Sequence, residues 1–234
     1  MFLSPYFSKH GDSIKISANQ ASNFAKSVAF DFNPIHDADA KRFCVPGDLL
    51  FALVLTQCGV KQQMHFNFEG MVGKDVLLKL PNAPQSPFSV QDDAGKTYLT
   101  VHQTGDGIDN MTAIEHLITA YVTFSGHNFV DVLLPLMKDN GVMINPKRPL
   151  VMYQSMSFEI QQTEFSQVHL EIDNQQLTHN GKRGEVVIDF NLVEGKRIIG
   201  TGKKTSVLSG LQPYDQIAID ELTTAYENRK QMVI

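Results

Sequence analysis

The stretch from Phe24 to Leu55, FAKSVAFDFNPIHDADAKRFCVPGDLLFALVL, places a polar turn directly before an apolar segment. At its centre, positions 31–36 read DFNPIH, so that a carboxylate and an imidazole flank a proline. Proline and the residue before it disfavour helical geometry, so one continuous helix cannot carry both side chains. A chain that leaves the helix at Asn33-Pro34 can fold His36 back toward Asp31. The segment predicts an acid/base pair, or else two side chains that only bind nearby backbone groups.

The apolar segment that follows has the signals of a helix start and a helix end. Pro46 suits the first turn, the carboxylate of Asp48 suits the positive end of a helix, and Gly59 suits the position after the last turn. Residues 49–55, LLFALVL, are apolar on every side instead of along one stripe. Such a helix must be covered on every side. We therefore predict a central helix over 47–58 that is wrapped by a curved sheet.

The remaining residues of the first half predict strands around this helix. Alternating apolar residues and turn signals place strands at 64–68, 76–80, 88–91 and 98–103, the last two forming a hairpin through the turn at 92–96. A short strand around 13–16 precedes a helix over 19–28, for which Ser17 is the expected N-cap. That helix leads the chain to Asp31.

The same order of elements recurs in the second half. Apolar segments at 114–124 and 129–137 predict helices, and Pro135 should kink the second one or delay its start before Gly141 ends it. A hairpin joins 187–193 to 197–208, and its Gly195-Lys196 lies 100 residues after Gly95-Lys96. A repeat of roughly 110 residues follows, with its boundary at 107–112. The final segment, 214–234, is expected to form a surface helix.

The second half lacks the DFNPIH segment of the first. Residues 121–128 align with it by pattern and contain no Asp-x-Asn-Pro-x-His. We interpret the chain as a duplication that keeps its chemistry in one half. The prediction is one site per chain, built by the first half and shaped by the second.

Asp-x-Asn-Pro-x-His, followed by Pro-Gly at the start of an apolar helix, resembles the MaoC-like, (R)-specific enoyl-CoA hydratases of the hot-dog fold. The similarity covers Phe24 to Leu55. It implies an α+β protein, a tandem (double) hot-dog whose antiparallel sheets each wrap a central hydrophobic helix. Residues 1–109 would form the unit that carries the motif, and residues 110–234 a degenerate second unit.

The resemblance also implies roles for particular residues. Asp31 and His36 would flank the water that adds to a trans-2-enoyl thioester, and the N–H of Gly47 would receive the thioester carbonyl. The substrate would be an acyl thioester of coenzyme A or of acyl carrier protein, with no separate cofactor, in fatty acid metabolism. The expected substrate-binding positions are Asn33, Phe30, Asp48 and Phe51. A homodimer is compatible with this family.

Two residues depart from the family pattern. Bulky Phe30 stands where the family usually has a small residue before its Asp, and charged Asp48 stands where an apolar residue usually follows the Gly. Both departures favour a catalytically inactive module that binds a thioester or a partner protein. An acyl-CoA thioesterase is a third possibility on the same fold. The leading hypothesis is a hydratase or dehydratase.

The composition limits the class of protein, its partners and its location. Hydrophobic residues make up 42% of the 234 and charged residues 19%, as in ordinary globular proteins, and the formal net charge of −5 argues against nucleic acid as a partner. The first residues do not read as a signal peptide, and the longest apolar run, 49–55, is far shorter than the ~20 residues of a membrane span. We predict a cytoplasmic protein with reduced, buried Cys44 and Cys58.

Two further kinds of site are not supported by the sequence. The histidines have no HxxxH or HExxH spacing, so no metal site is predicted. Residues 200–205, GTGKKT, look faintly like a phosphate loop but lack the required first glycine, and we interpret them as part of a strand.

Overall fold

The computed structural model describes residues 2–82 and 84–231, which form an α+β protein with a large antiparallel sheet. The helices are α1 (Ala18–Phe24), α2 (Gly47–Gln57), α3 (Met111–Asn128), α4 (Leu134–Asp139) and α5 (Gln216–Gln231). The strands of the first half are β1 (Ser8–His10), β2 (Ser13–Lys15), β3 (Val60–Phe68), β4 (Leu77–Lys79), β5 (Phe88–Asp92) and β6 (Thr97–Ile108). Those of the second half are β7 (Val142–Met143), β8 (Val151–Ile160), β9 (His169–Asn180), β10 (Arg183–Glu194), β11 (Arg197–Ser209) and β12 (Gln212–Pro213).

Ten of these strands form one sheet, in the order β1-β2-β4-β5-β6-β3-β8-β11-β10-β9, and β12 pairs separately with β7. In each half, the last long strand pairs with the first one: β6 with β3, and β11 with β8. The halves join where β3 pairs with β8, for example at Met64 and Phe158. Strands β3–β6 and strands β8–β11 therefore follow the same order within the sheet, and the two groups meet at the β3–β8 seam.

Helix α2 lies in the core, as its sequence predicted. Every residue from Asp48 to Leu55 is buried, and Phe51 packs against rings of both halves: Phe66, Tyr121 and Phe158. Gly59 follows the helix in a left-handed conformation, φ 90°, which glycine adopts without steric cost. The predicted central helix is confirmed.

Helix α1 begins with a capping box, in which Ser17 accepts a hydrogen bond from the backbone N–H of Gln20 and the Gln20 side chain accepts one from that of Ser17. This confirms the predicted cap. A π-helical turn, Ala25–Ala29, extends α1 and ends at Phe30, whose φ of 54° is left-handed. The reversal at Phe30 turns the chain into the DFNPIH loop.

The two helices predicted in the second half are parts of one helical stretch. A π-helical turn, Phe129–Leu133, connects α3 to α4 just before Pro135. Proline lacks the N–H that an uninterrupted α-helix would need, and the wider turn accommodates that loss. Val132 of the turn and Leu136 and Met137 of α4 pack in a second core cluster, which includes Leu177, Val186 and Ile188 of the second half's strands.

The stretch Met111–Asp139 is long and apolar enough to cross a membrane by length and composition alone, and half of its most apolar window is buried inside the protein. Its inward side chains, such as Leu117 and Tyr121, belong to the main core. Packing within the fold accounts for its apolar character.

The predicted hairpins are confirmed as β5–β6 and β10–β11, and GTGKKT lies inside β11. Strand β6 ends at Ile108 and helix α3 begins at Met111, within the range predicted for the boundary between the halves. Helix α5 confirms the predicted C-terminal helix as far as Gln231, with Ile219 and Tyr226 buried. Residues 232–234 of that prediction lie outside the described residues.

Candidate active site

The DFNPIH loop is held in shape by its own polar groups. The backbone N–H of Asn33 donates to Asp31 Oδ1 (2.9 Å), and the N–H of Ile35 donates to Asn33 Oδ1 (3.1 Å). Asn33 thereby caps a short 3-10 turn, Pro34–His36, in which proline occupies the first position. Asp31, Asn33 and Pro34 thus fold the chain back on itself.

As a result, His36 Nε2 lies 3.4 Å from Asp31 Oδ2. The side chains are 12% and 21% exposed, so solvent and a small ligand can reach both. His36 Nδ1 lies 2.7 Å from the carbonyl oxygen of Cys44, a contact in which Nδ1–H donates. With a proton on Nδ1, Nε2 is the nitrogen that can take up or release a proton beside Asp31.

The two groups shift each other's pKa toward the ion pair. Burial alone would raise the pKa of Asp31, but the hydrogen bond and charge of His36 outweigh it and the pKa is lowered. Burial likewise would lower the pKa of His36, but the hydrogen bond and charge of Asp31 raise it. Ionised Asp31 therefore favours the protonated form of His36, and protonated His36 favours the ionised form of Asp31.

Gly47 begins α2 beside this pair. The first N–H groups of a helix have no acceptor within it, and they point toward any group at the helix start. A Cβ at Gly47 would lie 2.7 Å from a ring carbon of Tyr153 and 3.1 Å from one of Phe68. Those two rings stack with centroids 4.2 Å apart, so only glycine fits beneath them.

Asp31, His36 and Gly47 line one cavity of about 270 Å³, which also receives residues of the second half. Its apolar wall includes Leu50, Val72, Leu133, Val151, Val186 and Ile188. Its polar groups include Asn33, Asp48, Ser125, Asn128 and Lys204. The cavity is therefore built jointly by both halves and is lined by both polar and apolar side chains.

A second polar cluster lies in the same cavity. Ser125 Oγ donates to Asp48 Oδ2 (2.7 Å), and Lys204 Nζ donates to Ser125 Oγ. All three residues are buried, and Asp48 and Lys204 are each 7% exposed. Among the described residues, no donor reaches Asp48 Oδ1. The cluster links the first turn of α2 to strand β11 of the second half.

Lys204 is held on two further sides. Its Nζ lies 4.7 Å from the centre of the Tyr153 ring, and the side-chain oxygen of Asn128 accepts from it (3.1 Å) while the Asn128 nitrogen donates to the carbonyl of Phe124 (3.0 Å). Burial lowers the pKa of Lys204 and raises that of Asp48, and the attraction between the two charges opposes both shifts. The attraction between Lys204 and Asp48 thus offsets part of the cost of burying each charge.

The close approach of α3 to the motif depends on Gly126. A Cβ at Gly126 would lie 1.8 Å from the carbonyl oxygen of Ala29, so no side chain is tolerated where the two segments cross. This crossing brings Ser125 and Asn128 beside the loop of Asp31.

The structure does not bring all expected substrate-binding residues to the cavity. Asn33 and Asp48 line it, whereas Phe51 is fully buried in the core. Phe30 is 43% exposed and packs against His127 outside the cavity, with ring centroids 6.0 Å apart. The left-handed backbone at Phe30 turns its ring away; glycine adopts that conformation freely and is the usual residue there in the MaoC-like pattern.

Sequence reasoning missed Ser125, Asn128, Tyr153 and Lys204. Residues 121–128 align with the Asp31 loop by pattern, but nothing in that pattern marks Ser125 or Asn128 as cavity residues. For Lys204 the signal is strand alternation, which places it on the inward side with Ser206 and Leu208 while Lys203 is exposed.

Cys58 is buried as predicted, and Cys44 is half-buried at the cavity; both are free thiols. Within residues 2–82 and 84–231, no cluster of three or more His, Cys, Asp or Glu is placed to hold a metal ion.

Several solved structures are similar to this chain at 8% sequence identity. A TesB protein of Mycobacterium avium subsp. paratuberculosis has a TM-score of 0.49, with 88% of this chain and 96% of that chain covered. A protein of unknown function with a hot dog fold from Alicyclobacillus acidocaldarius has a TM-score of 0.48, with 92% and 99% covered. A MaoC-like dehydratase has a TM-score of 0.43, with 86% and 97% covered. These likenesses assign no activity to the chain.

The sequence comparisons give one family. No curated protein matches the chain. The family model described as "Protein of unknown function (DUF3581)" matches residues 1–217 of the 234. The chain therefore belongs to the DUF3581 family.

Proposed function

We propose that this protein is a hydratase or dehydratase that adds water to a trans-2-enoyl thioester or removes it. The observation that carries the proposal is the pairing of Asp31 and His36, 3.4 Å apart, in a cavity that also contains the N-terminus of α2. Hydration of such a double bond needs a group that takes a proton from water and a group that gives a proton to carbon. It also needs a donor for the thioester oxygen.

The pKa directions of Asp31 and His36 support one division of the two proton-transfer roles between them. Ionised Asp31 would accept a proton from water as the water oxygen bonds to C3 of the substrate. Protonated His36 would donate its Nε2 proton to C2. The products of the step are a protonated Asp31 and a neutral His36, and a proton passing between these neighbours restores the starting ion pair. Removal of water is the same sequence in reverse.

The thioester oxygen would bind at the start of α2. As C3 is attacked, negative charge moves onto that oxygen, and the N–H of Gly47 together with the positive end of the helix would stabilise it. The apolar wall formed by Leu50, Val72 and Leu133 would receive the acyl chain. Acyl-CoA and acyl carrier protein both carry such a thioester, and both are proposed forms of the substrate.

The same strand order in both halves supports a tandem hot-dog, with the motif in residues 1–109 and a degenerate unit in residues 110–234. In this arrangement the second half supplies the cavity wall that a second subunit would supply in a dimer of single units. A cytoplasmic location and a homodimer of the whole chain remain predictions.

An inactive binding module would be favoured if Phe30 filled the space beside Asp31 and His36. Phe30 lies outside that space, and this supports the enzyme. A thioesterase is the second candidate, because the same pair and the same helix N-terminus could direct water to the thioester carbonyl instead of to C3. Release of free thiol distinguishes that reaction from hydration.

The test follows the absorbance of the enoyl-CoA double bond with crotonyl-CoA and longer enoyl-CoA substrates. Asp31→Asn and His36→Ala should each lower turnover by about 10²–10⁴-fold. Asp39→Asn and His127→Ala are matched controls outside the cavity and should retain native turnover. Equal rates in all variants, or no reaction by the native protein at any chain length, would refute the hydratase.

A further inference from the structure

Asp48 raises an electrostatic difficulty for the site. It follows Gly47 directly, its carboxylate is buried in the cavity, and an ionised carboxylate there repels an oxygen that gains negative charge at the Gly47 N–H. In a buried site such repulsion is only weakly screened. The helix start can serve a thioester carbonyl only if the charge of Asp48 is balanced.

The balancing charge comes from the other half of the chain. Lys204 on β11 donates to Ser125 on α3, and Ser125 donates to Asp48 on α2. Asn128 and the face of the Tyr153 ring fix the ammonium group on its remaining sides. Tyr153 is also the residue whose ring lies against Gly47. The lysine is therefore fixed beside the helix start instead of being free to move in solvent.

We propose that Lys204 is a positioning residue for the thioester site: through Ser125 it neutralises Asp48, so that the N–H of Gly47 can hold the thioester oxygen. This inference rests on the proposed function and adds to it a requirement for the second half. Lys204 makes no proton transfer in this scheme. Its effect is electrostatic. Removing the lysine alone should therefore weaken thioester binding, and removing the charge of Asp48 as well should restore it.

The experiment compares Lys204→Met, Asp48→Asn and the double variant Asp48→Asn/Lys204→Met with the native protein. Lys203→Met is the matched control, because Lys203 is the preceding residue of β11 and pairs with Asp189 (3.2 Å) on the exposed face. The probe is butyryl-CoA, a saturated thioester that cannot be hydrated. Its dissociation constant is measured at about pH 6 and about pH 9, together with thermal unfolding and crotonyl-CoA turnover.

Lys204→Met should weaken butyryl-CoA binding by roughly tenfold at the higher pH and by less at the lower pH, because a lower pH favours protonation of an Asp48 that has lost its cationic partner. The titratable groups that face Asp48 are Asp31, His36, Tyr121, Tyr153 and Lys204, so each variant is compared with the native protein at the same pH. The double variant should regain native affinity and most of the turnover. Lys203→Met should change neither.

The inference is overturned if Lys204→Met binds butyryl-CoA as the native protein does, or if the double variant is folded but binds as weakly as Lys204→Met. If Lys204→Met does not fold, the double variant decides alone, since its neutral pair leaves no buried charge. If the native protein binds butyryl-CoA but turns over no enoyl-CoA of any chain length, the hydratase is refuted and the binding comparison remains as the test of Lys204. Absence of any butyryl-CoA binding by the native protein would overturn both.

Discussion

Gly47 lies directly against the aromatic rings of Tyr153 and Phe68. Gly47→Ala would place a methyl group 2.7 Å from Tyr153, so the ring or the helix start must shift. Since the thioester oxygen depends on the N–H at this position, we expect turnover to fall by about 10²–10³-fold. Steady-state kinetics with crotonyl-CoA would measure the change.

Gly73→Ala is the control for this substitution. Gly73 lies in the next loop of the first half, and a Cβ there would meet no atom within 4 Å. It should leave both turnover and unfolding temperature unchanged. A native rate in Gly47→Ala would show that the start of α2 takes no part in the reaction.

The Asp31–His36 pair makes both activity and stability depend on pH. Because the pKa of Asp31 is lowered and that of His36 is raised, the ion pair persists over a wider pH range than two isolated groups would allow. Turnover should fall as the pH drops through the pKa of Asp31 and as it rises through the pKa of His36. A pH–rate profile of kcat/KM checks both limits.

The same shifts fix the sign of the effect on stability. A histidine with a raised pKa stabilises the fold fully below its unfolded pKa of about 6.5, and that contribution is lost as the pH rises through the folded pKa. His36→Ala should therefore cost more stability at about pH 6 than at about pH 9. Urea denaturation at both values would show it, and an equal loss at both would mean that His36 is not protonated in the fold.

Helix α2 offers a matched pair of leucines at the scale of one element. Leu50 and Leu53 are both buried, but only Leu50 lines the cavity. Truncating either one should lower the free energy of unfolding by about 2–5 kcal/mol, because the helix is covered on every side. Leu50→Ala should also shift the preferred acyl chain toward longer thioesters, whereas Leu53→Ala should not. Urea denaturation and a chain-length series of enoyl-CoA substrates separate the two effects.

The elements that the sequence predicted well are those whose signals are local. The break at Asn33-Pro34, the cap at Ser17 and the apolar run of α2 each depend on a few neighbouring residues, and each is present in the structure. The position of Phe30 could not be predicted in this way, because a left-handed phenylalanine is set by the chain that packs around it. The same holds for the π-helical turn before Pro135.

The second polar cluster could not be predicted from the sequence either, because its residues come from three different elements. Asp48, Ser125 and Lys204 are separated by tens of residues in the sequence, and only the crossing of α3 at Gly126 and the register of β11 bring them together. Strand alternation could have marked Lys204 as inward-facing. Strand alternation could not have predicted that the lysine faces the carboxylate of Asp48.

The two halves should depend on each other for folding. The main core includes α2 and the strands of the first half, but also Phe158, Phe190 and Leu192 of the second half. A fragment of residues 1–109 would expose that surface and the edge of β3, which is paired with β8 in the whole chain. We expect the fragment to show no cooperative thermal unfolding by circular dichroism. A sharp transition would instead make the first half an autonomous domain.

The β3–β8 seam joins two units of one strand order within a single polypeptide. In a symmetric dimer of identical units, every substitution appears twice, so a lysine added to one wall of a cavity also appears at the equivalent wall. A covalent pair has no such restriction, and each half can change while its counterpart stays the same. Lys204 in the second half can thus change independently of Asp31 and His36 in the first half, a freedom that a dimer of two identical units does not have.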